Sequence, residues 1–210
     1  MGSNTLWSAI EAAKATGGSC EGDWPATGVS IDSRSVQPGD LFIAIKGDNS
    51  DGHAYVKAAL EKGAIAAIVS QKIEGVPAEK LLIVEDTFTA LQDLGHAGRA
   101  RSGATIIAVT GSVGKTGTKE MLAAAFATKG QTHASIKSFN NHWGVPFSLS
   151  SMHAGSDFGI FEVGMNHADE ITPLSKMIGP HIAIITTVES VHAGNFEHGE
   201  EGIADAKAEI

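Results

Sequence analysis

One stretch, residues 105–121, most constrains what this chain can fold into. It runs Thr-Ile-Ile-Ala-Val-Thr, then Gly-Ser-Val-Gly-Lys-Thr-Gly, then Thr-Lys-Glu-Met. The β-branched apolar run predicts a buried strand. Gly111 and Gly114 permit a tight turn, and a helix is expected to start near Lys115. A strand, a glycine turn and a helix start in this order predict an α/β fold.

The turn has the composition of a phosphate-binding loop. Backbone N–H groups at a helix N-terminus attract anions, Lys115 adds a cation, and Thr116 adds a hydroxyl for Mg²⁺. The pattern is the short form Gly-x-x-Gly-Lys-Thr, since Val109 stands where the longer pattern has glycine. An ordinary strand-to-helix turn is the alternative. The residues predicted to bind nucleotide phosphates are Gly111, Ser112, Val113, Gly114, Lys115, Thr116 and Gly117.

The charge balance argues against nucleic acid as a partner. The chain has 15 Lys and Arg against 24 Asp and Glu, a formal net charge of −9. Its single cysteine, Cys20, excludes an internal disulfide and fits a reducing compartment. No apolar run approaches the roughly 20 residues of a membrane span. We therefore expect a cytoplasmic protein without membrane insertion.

The first part of the chain predicts a small α/β domain over residues 1–84. Leu6, Trp7, Ile10 and Ala13 recur at helical spacing before a glycine stop. Asp51 is expected to cap a second helix that ends at Gly63. Strands are predicted at 29–31, 41–45, 64–69 and 81–84.

The second domain is predicted over residues 85–210, as the first part of a phosphate-loop ATPase domain. A helix is expected over residues 87–99 before the loop strand. Apolar runs at 158–163 and 182–187 are typical of strands buried on both faces, and they alternate with helices at 115–128 and 171–178. This predicts a parallel sheet wrapped by helices. The last residues have helical composition and no terminator, so we expect a truncated chain.

Ligands of parallel α/β sheets sit at the carboxyl ends of the strands. Glu162 and His192 follow predicted strands there, as the loop does. A buried carboxylate is costly unless it is paired or metal-bound. Glu162 is therefore predicted to bind a metal or to form a salt bridge with Lys115 or Lys207. A polar loop position is the alternative for His192.

Several segments together resemble the ATP-dependent Mur ligases of bacterial cell-wall synthesis. The resemblance covers nearly the whole chain. The segments that carry it are Asp32-Ser33-Arg34 with Pro38-Gly39-Asp40-Leu41-Phe42, the loop to Met121, Asn140-Asn141-His-Trp-Gly144-Val-Pro146, Glu162-Val-Gly-Met-Asn166, and Ala204-Asp-Ala-Lys207-Ala-Glu209-Ile210.

The resemblance implies a three-domain enzyme, of which this chain would hold the amino-terminal domain and part of the central one. The implied reaction joins D-alanyl-D-alanine to UDP-MurNAc-tripeptide, with ATP and Mg²⁺, through an acyl phosphate. The third domain closes over the nucleotide in that family. We therefore expect this chain to be inactive alone, and to be a monomer.

The resemblance also implies roles for single residues. Lys115 would contact the β- and γ-phosphates, and Thr116 a first Mg²⁺. A second Mg²⁺ would be held by Glu162, His192 and Lys207, the last as a carbamate; Lys115, Glu162, His192 and Lys207 form the predicted catalytic set. A solvated helix lysine is the alternative for Lys207.

Four residues are implied in substrate binding. Ser33 and Arg34 would bind the UDP-sugar end, because the guanidinium fork suits pyrophosphate. Asn140 and Asn141 would line the phosphate and substrate crevice, with an asparagine-rich turn as the alternative. Two further interpretations of the chain stay open: a Mur ligase that adds the third peptide residue, and a phosphate-loop nucleotide-binding module without ligase activity.

Overall fold

The computed structural model describes residues 5–47, 50–190, 193–196 and 198–210. They form two compact units, Met1–Ala97 and Gly98–Ile210. Both units combine helices with parallel strands, so the predicted α/β class is confirmed.

The first unit is built around a five-stranded sheet. Its strands and helices, in chain order, are β1 (Trp7–Ser8), α1 (Ala9–Thr16), β2 (Ser19–Cys20), β3 (Pro25–Ala26), β4 (Gly28–Ser30), β5 (Asp40–Ile43), α2 (Val56–Glu61), β6 (Ala66–Val69), β7 (Leu81–Ile83) and α3 (Thr87–Ala100), the last reaching into the second unit. The strand order is β2-β7-β6-β5-β4, with β4 to β7 parallel and β2 antiparallel to β7. A separate antiparallel pair joins β1 to β3.

Helix α1 begins later than its apolar spacing predicts. Ser8 accepts a hydrogen bond from the Glu11 amide at 3.2 Å, and the Glu11 carboxylate accepts one from the Ser8 amide at 2.9 Å. This capping box fixes the helix start at Ala9. Ile10 is consequently 75% exposed, while Trp7 lies in the preceding strand β1 and is buried. The predicted glycine stop is confirmed, because Gly17 ends the helix with φ of 64°.

The second unit contains a four-stranded parallel sheet. Its elements are β8 (Thr105–Thr110), α4 (Lys115–Ala127), β9 (Thr132–Ala134), α5 (Gly144–Ser150), β10 (Phe158–Glu162), α6 (Ile171–Ile178), β11 (Ile182–Ile185) and α7 (Glu200–Lys207). The strand order is β11-β8-β10-β9. The sequence did not predict β9 and α5.

Side chains of the central strands alternate between two apolar layers. On one face Ile106 and Phe161 pack with residues of α5 and α6. On the other face Ile107 and Ile160 pack against Phe126 and other residues of α4. Because apolar side chains point alternately to each side of the sheet, both faces of β8 and β10 are buried. This burial fixes the register of β8, the strand that leads into the loop.

Strand β11 departs from the prediction of a strand buried on both faces. Ile182 and Ile185 are 48% and 43% exposed. The strand lies at the edge of the described sheet and pairs with β8. An apolar run therefore identified the strand but not its place in the sheet. Within the described part of the chain, no helix combines the length and the apolar character needed to cross a bilayer.

His133 in β9 makes the stability of the second unit depend on pH. Its Nε2–H donates to the Ser148 carbonyl at 2.8 Å, and its ring lies 5.8 Å from that of Phe161. Burial lowers the pKa of His133 to about 4. The unfolded chain takes up this proton below about pH 6.5, whereas the folded chain does so only near the lower value. Stability is therefore lost as the pH falls from about 6.5 to about 4.

We expect the second unit to lose about 2 kcal/mol of unfolding free energy through His133 between about pH 7 and pH 5. In His133→Gln that part of the pH dependence should be absent, while His167, an exposed histidine of the same unit, gives a matched control in His167→Gln. Urea unfolding at both pH values measures the difference. Equal pH dependence in the wild type and in His133→Gln would contradict the expectation.

Candidate functional site

The candidate site lies where β8 and β10 end and α4 begins. The parallel register of the two strands pairs Glu162 with Val109. The carboxyl end of β10 therefore meets the loop that follows β8, and Lys115 is the first residue of α4. No side chain of the described residues caps this helix, so its first N–H groups face the loop side.

The loop backbone depends on its two glycines and on the residues after β11. Gly111 has φ of 145°, and a Cβ on it would lie 2.0 Å from Thr186 Oγ1. Gly114 has φ of 84°. The Ser112 amide donates to the Thr187 carbonyl at 2.9 Å, which joins the loop to the segment beyond β11. The sequence predicted the glycines but not these threonine contacts.

Lys115 folds back over the loop. Its Nζ donates to the Gly111 carbonyl at 2.7 Å and to the Ser112 carbonyl at 3.4 Å. The ammonium group therefore lies over the glycine turn, where it can contact an anion bound to the backbone N–H groups.

Glu162 lies at the centre of the site. It is only 1% exposed, and both carboxylate oxygens are paired: Oε2 accepts from Thr116 Oγ1 and Oε1 from Asn140 Nδ2, each at 2.8 Å. The described residues show no salt bridge from Glu162 to Lys115 or Lys207, the alternative that the sequence left open. Two neutral donors instead satisfy the buried carboxylate and fix its orientation.

The donor set fits Mg²⁺ better than a transition metal. Thr116 and Glu162 offer oxygen atoms, and each retains lone pairs because the hydroxyl donates while the carboxylate accepts. No group of three or more His, Cys, Asp or Glu side chains suited to a metal is found among the described residues. Mg²⁺ typically binds one or two carboxylates together with phosphates and water, which agrees with this arrangement.

Lys207 is buried at the end of α7. It is only 4% exposed. Burial lowers the pKa of Lys207, and the charge of Lys115 lowers it further. The solvated helix lysine that the sequence left open is thus not what the fold provides.

Glu209 fixes the position of the segment that carries Lys207. Its carboxylate accepts hydrogen bonds from the Asp169 and Thr172 amides, both at 2.8 Å, and from Thr172 Oγ1 at 3.0 Å. These contacts satisfy donors at the start of α6. Glu209 belongs to one of the segments that carry the resemblance, but no local sequence pattern predicts this contact.

The two predicted asparagines separate into different positions. Asn140 contacts Glu162, whereas Asn141 Oδ1 accepts from the Trp143 and Gly144 amides at 3.1 and 3.0 Å. Asn141 therefore caps the start of α5. His192, predicted to be a metal ligand, lies outside the described residues.

Lys119 is a residue of this region that the sequence analysis missed. Its side chain is fully buried, and Nζ donates to the Ser135 and Lys137 carbonyls at 2.6 and 2.8 Å. A signal was present, because Lys119 shares an i, i+3, i+4, i+7 stripe with the sheet-facing residues Leu122, Ala123 and Phe126. A lysine on such a stripe must have buried acceptors.

Ser33 and Arg34 belong to the first unit, in the loop after β4. The Arg34 guanidinium pairs with the Asp32 carboxylate, with Nη2 to Oδ2 at 2.7 Å, and its side chain is 86% exposed. This pairing lowers the pKa of Asp32. Asp32 Oδ1 also accepts from the Arg34 amide at 2.9 Å, so the aspartate holds both the loop and the guanidinium.

Two family models match the chain. The Mur ligase family catalytic domain matches residues 25–99, and the Mur ligase middle domain matches residues 109–210. Together they match most of each unit, and the site around Glu162 lies within the second match.

Two curated relatives of this chain carry the same name. The UDP-N-acetylmuramoyl-tripeptide--D-alanyl-D-alanine ligase of Rickettsia prowazekii is 43% identical over 182 residues, which is 87% of this chain and 40% of the relative. The enzyme of that name from Bacillus subtilis is 38% identical over 184 residues, again 87% of this chain and 40% of the relative. The chain thus spans about 40% of the length of these relatives.

Solved structures agree with the sequence comparison. A crystal structure of MurF from Acinetobacter baumannii has a TM-score of 0.80 at 35% identity, covering 97% of this chain and 46% of that one. MurF from Thermotoga maritima in complex with ADP has a TM-score of 0.68 at 30% identity, covering 87% and 42%. Both family models, the relatives and the shared fold lead to one conclusion: the chain belongs to the Mur ligase family.

Proposed function

We propose that this chain provides the UDP-substrate-binding unit and the first part of the ATP-binding unit of an ATP-dependent ligase. The ligase joins D-alanyl-D-alanine to UDP-MurNAc-tripeptide in peptidoglycan synthesis in the bacterial cytoplasm. The substrates are taken from the names of the relatives. The observation that carries the nucleotide site is the hydrogen bond from Thr116 to buried Glu162, beside Lys115 at the start of α4.

Amide formation from a carboxylate needs activation, since a carboxylate is a poor acyl donor. In the proposed reaction the carboxylate attacks the γ-phosphorus of ATP, ADP leaves, and an acyl phosphate forms; the amine of the dipeptide then displaces phosphate. The first step brings two anions together. Catalysis therefore depends on positive charge and on positioning.

The residues around the loop suit the first step. The loop N–H groups and Lys115 bind the phosphates and hold them at the end of β8. Thr116 and Glu162 would hold Mg²⁺, which when bound would supply positive charge that offsets the negative charge of the reacting groups. Asn140 keeps the Glu162 carboxylate turned toward Thr116.

Lys207 would support the same site as a carbamate. Its neutral amine attacks CO₂, a C–N bond forms, and one proton leaves, so that a cation becomes an anion with oxygen ligands. The burial of Lys207 supports this proposal, because burial favours the neutral amine that the reaction requires.

The first unit would bind the UDP end of the substrate through Ser33 and Arg34. The exposure of the Arg34 side chain supports this role, because its pairing with Asp32 uses Nε and Nη2 and holds the guanidinium where a ligand can reach it. A nucleotide-binding module without ligase activity remains the second candidate for the chain by itself, because it covers only part of its relatives.

Lys115→Ala is expected to weaken ADP binding about 10- to 100-fold, because a hydrogen bond to a charged group contributes roughly 1.5–3 kcal/mol. Isothermal titration calorimetry of the 210-residue chain with ADP and Mg²⁺ measures the change. Lys129→Ala removes the same charge from an exposed position just beyond α4 and should leave the affinity unchanged. Equal affinities for Lys115→Ala and the wild type would contradict the phosphate role.

Arg34→Ala is expected to weaken binding of UDP-MurNAc-tripeptide by about tenfold, since a charged contact to the pyrophosphate is lost. Calorimetric titration gives the affinity, with UDP-MurNAc alone as a second ligand to separate the nucleotide contribution from that of the peptide. Lys80→Ala, an exposed change in the same unit, is the control. A cooperatively melting wild-type chain that binds neither ligand would rule out substrate binding by the first unit alone.

Lys207 is expected to form a carbamate in the presence of bicarbonate. In a sample equilibrated with ¹³C-bicarbonate, a carbamate carbon resonance should appear in the ¹³C NMR spectrum of the wild-type chain. It should be missing from Lys207→Arg and retained in Lys176→Arg, which changes a lysine of α6. A wild-type spectrum without that resonance would show that Lys207 stays an amine.

A further inference from the structure

Lys119 is buried among backbone acceptors and makes no contact that the proposed chemistry requires. Its Nζ donates to two carbonyl oxygens, those of Ser135 and Lys137, and lies 2.8 Å from Glu120 Oε1. All three ammonium protons therefore have acceptors, which is the condition for burying a charge. A lysine held in this way fixes the backbone that surrounds it.

The backbone held by Lys119 is irregular. Residues 135–140 connect the end of β9 to the turn before α5, and Lys137 has φ of 52°. That left-handed conformation is disfavoured for a residue with a Cβ. The Lys137 carbonyl is one of the two acceptors of the ammonium group, so Lys119 stabilises the strained residue directly.

The same residues 135–140 hold Glu162 from two sides. Ser135 Oγ accepts from the Glu162 amide at 3.2 Å, and Asn140 Nδ2 donates to Glu162 Oε1 at 2.8 Å. The Asn140 carbonyl also accepts from the Gly164 amide at 2.8 Å. A Cβ on Gly164 would lie 2.8 Å from Asn140 Cγ, so this approach requires glycine. The orientation of the carboxylate thus depends on where residues 135–140 lie.

The contacts close a ring that begins and ends on α4. Lys119 holds residues 135–140, these residues hold Glu162, and Glu162 accepts from Thr116. Thr116 and Lys119 are three residues apart and share a face of the helix. We propose that Lys119 is a positioning residue: it sets the orientation of Glu162 toward the Mg²⁺ position at Thr116 and does not itself contact the nucleotide. This inference rests on the proposed nucleotide site.

The test separates positioning from stability by measuring ADP affinity with and without Mg²⁺. In Lys119→Met the loop and Lys115 are unchanged, so Mg²⁺-free ADP binding should equal that of the wild type. The gain in ADP affinity on adding Mg²⁺ should fall about 10- to 100-fold, the usual effect of removing a group that orients a metal ligand. Calorimetry of the whole chain gives both affinities.

Two control variants account for the other effects of the substitution. Lys129→Met makes the same change at the exposed position beyond α4 and should keep the full Mg²⁺ gain. Ile106→Val destabilises the core of the same sheet away from the ring, and it should lower the melting temperature without changing the gain. A positioning role therefore lowers the gain in ADP affinity on adding Mg²⁺, which lower stability alone does not change.

Retention of the full Mg²⁺ gain by Lys119→Met would overturn the inference and leave the nucleotide site intact. If Lys119→Met does not melt cooperatively, Lys119→Gln decides the matter, because it keeps a polar side chain but removes the ammonium group that holds the Ser135 and Lys137 carbonyls. A reduced gain in Lys119→Gln supports the inference, and a full gain overturns it. A wild-type chain whose ADP affinity does not respond to Mg²⁺ would overturn both the inference and the proposed metal site.

Discussion

The burial of the Glu162 carboxylate is the constraint on which the rest of the second unit depends. A carboxylate that is 1% exposed loses its hydration and must find donors within the protein. It finds one on α4, Thr116, and one on the segment before α5, Asn140. Three parts of the chain that are distant in sequence are thereby tied to one point at the end of β10. The glycine loop then has a fixed neighbour, which a phosphate-binding site on a rigid sheet requires.

Periodicity and turn chemistry predicted the framework of this arrangement. The apolar runs of β8 and β10 and the glycine turn at Gly111 were sufficient to place a loop at the carboxyl end of a parallel sheet. They were also sufficient to bring Glu162 to that edge. What they predicted is local: an alternation of side chains, a turn, and the start of a helix. Such local patterns predict contacts between distant residues only where the sheet register brings those residues together.

The remainder could not be predicted because it depends on acceptors that are far away in the sequence. Lys119 has the pattern of a core-facing position, yet nothing nearby in sequence shows that the Ser135 and Lys137 carbonyls receive its charge. Asn141 is predicted to bind substrate, and its Oδ1 also accepts from an amide at the start of α5, a contact that the asparagine pair does not reveal because both residues share the same turn chemistry. The exposure of β11 likewise depends on the strand order, which an apolar run does not encode.

The charges of Lys115 and Lys207 connect the phosphate site to the last helix. Lys115 lowers the pKa of Lys207, so the two amines are close enough to repel each other when both are charged. Losing a proton from Lys207 relieves that repulsion and also avoids the cost of a buried cation. In the proposed carbamate the sign of the interaction reverses, and Lys115 would stabilise the modified side chain instead of opposing it. The chain then holds an anion where the sequence shows a lysine, and the oxygen donors that Mg²⁺ prefers increase in number without another Asp or Glu.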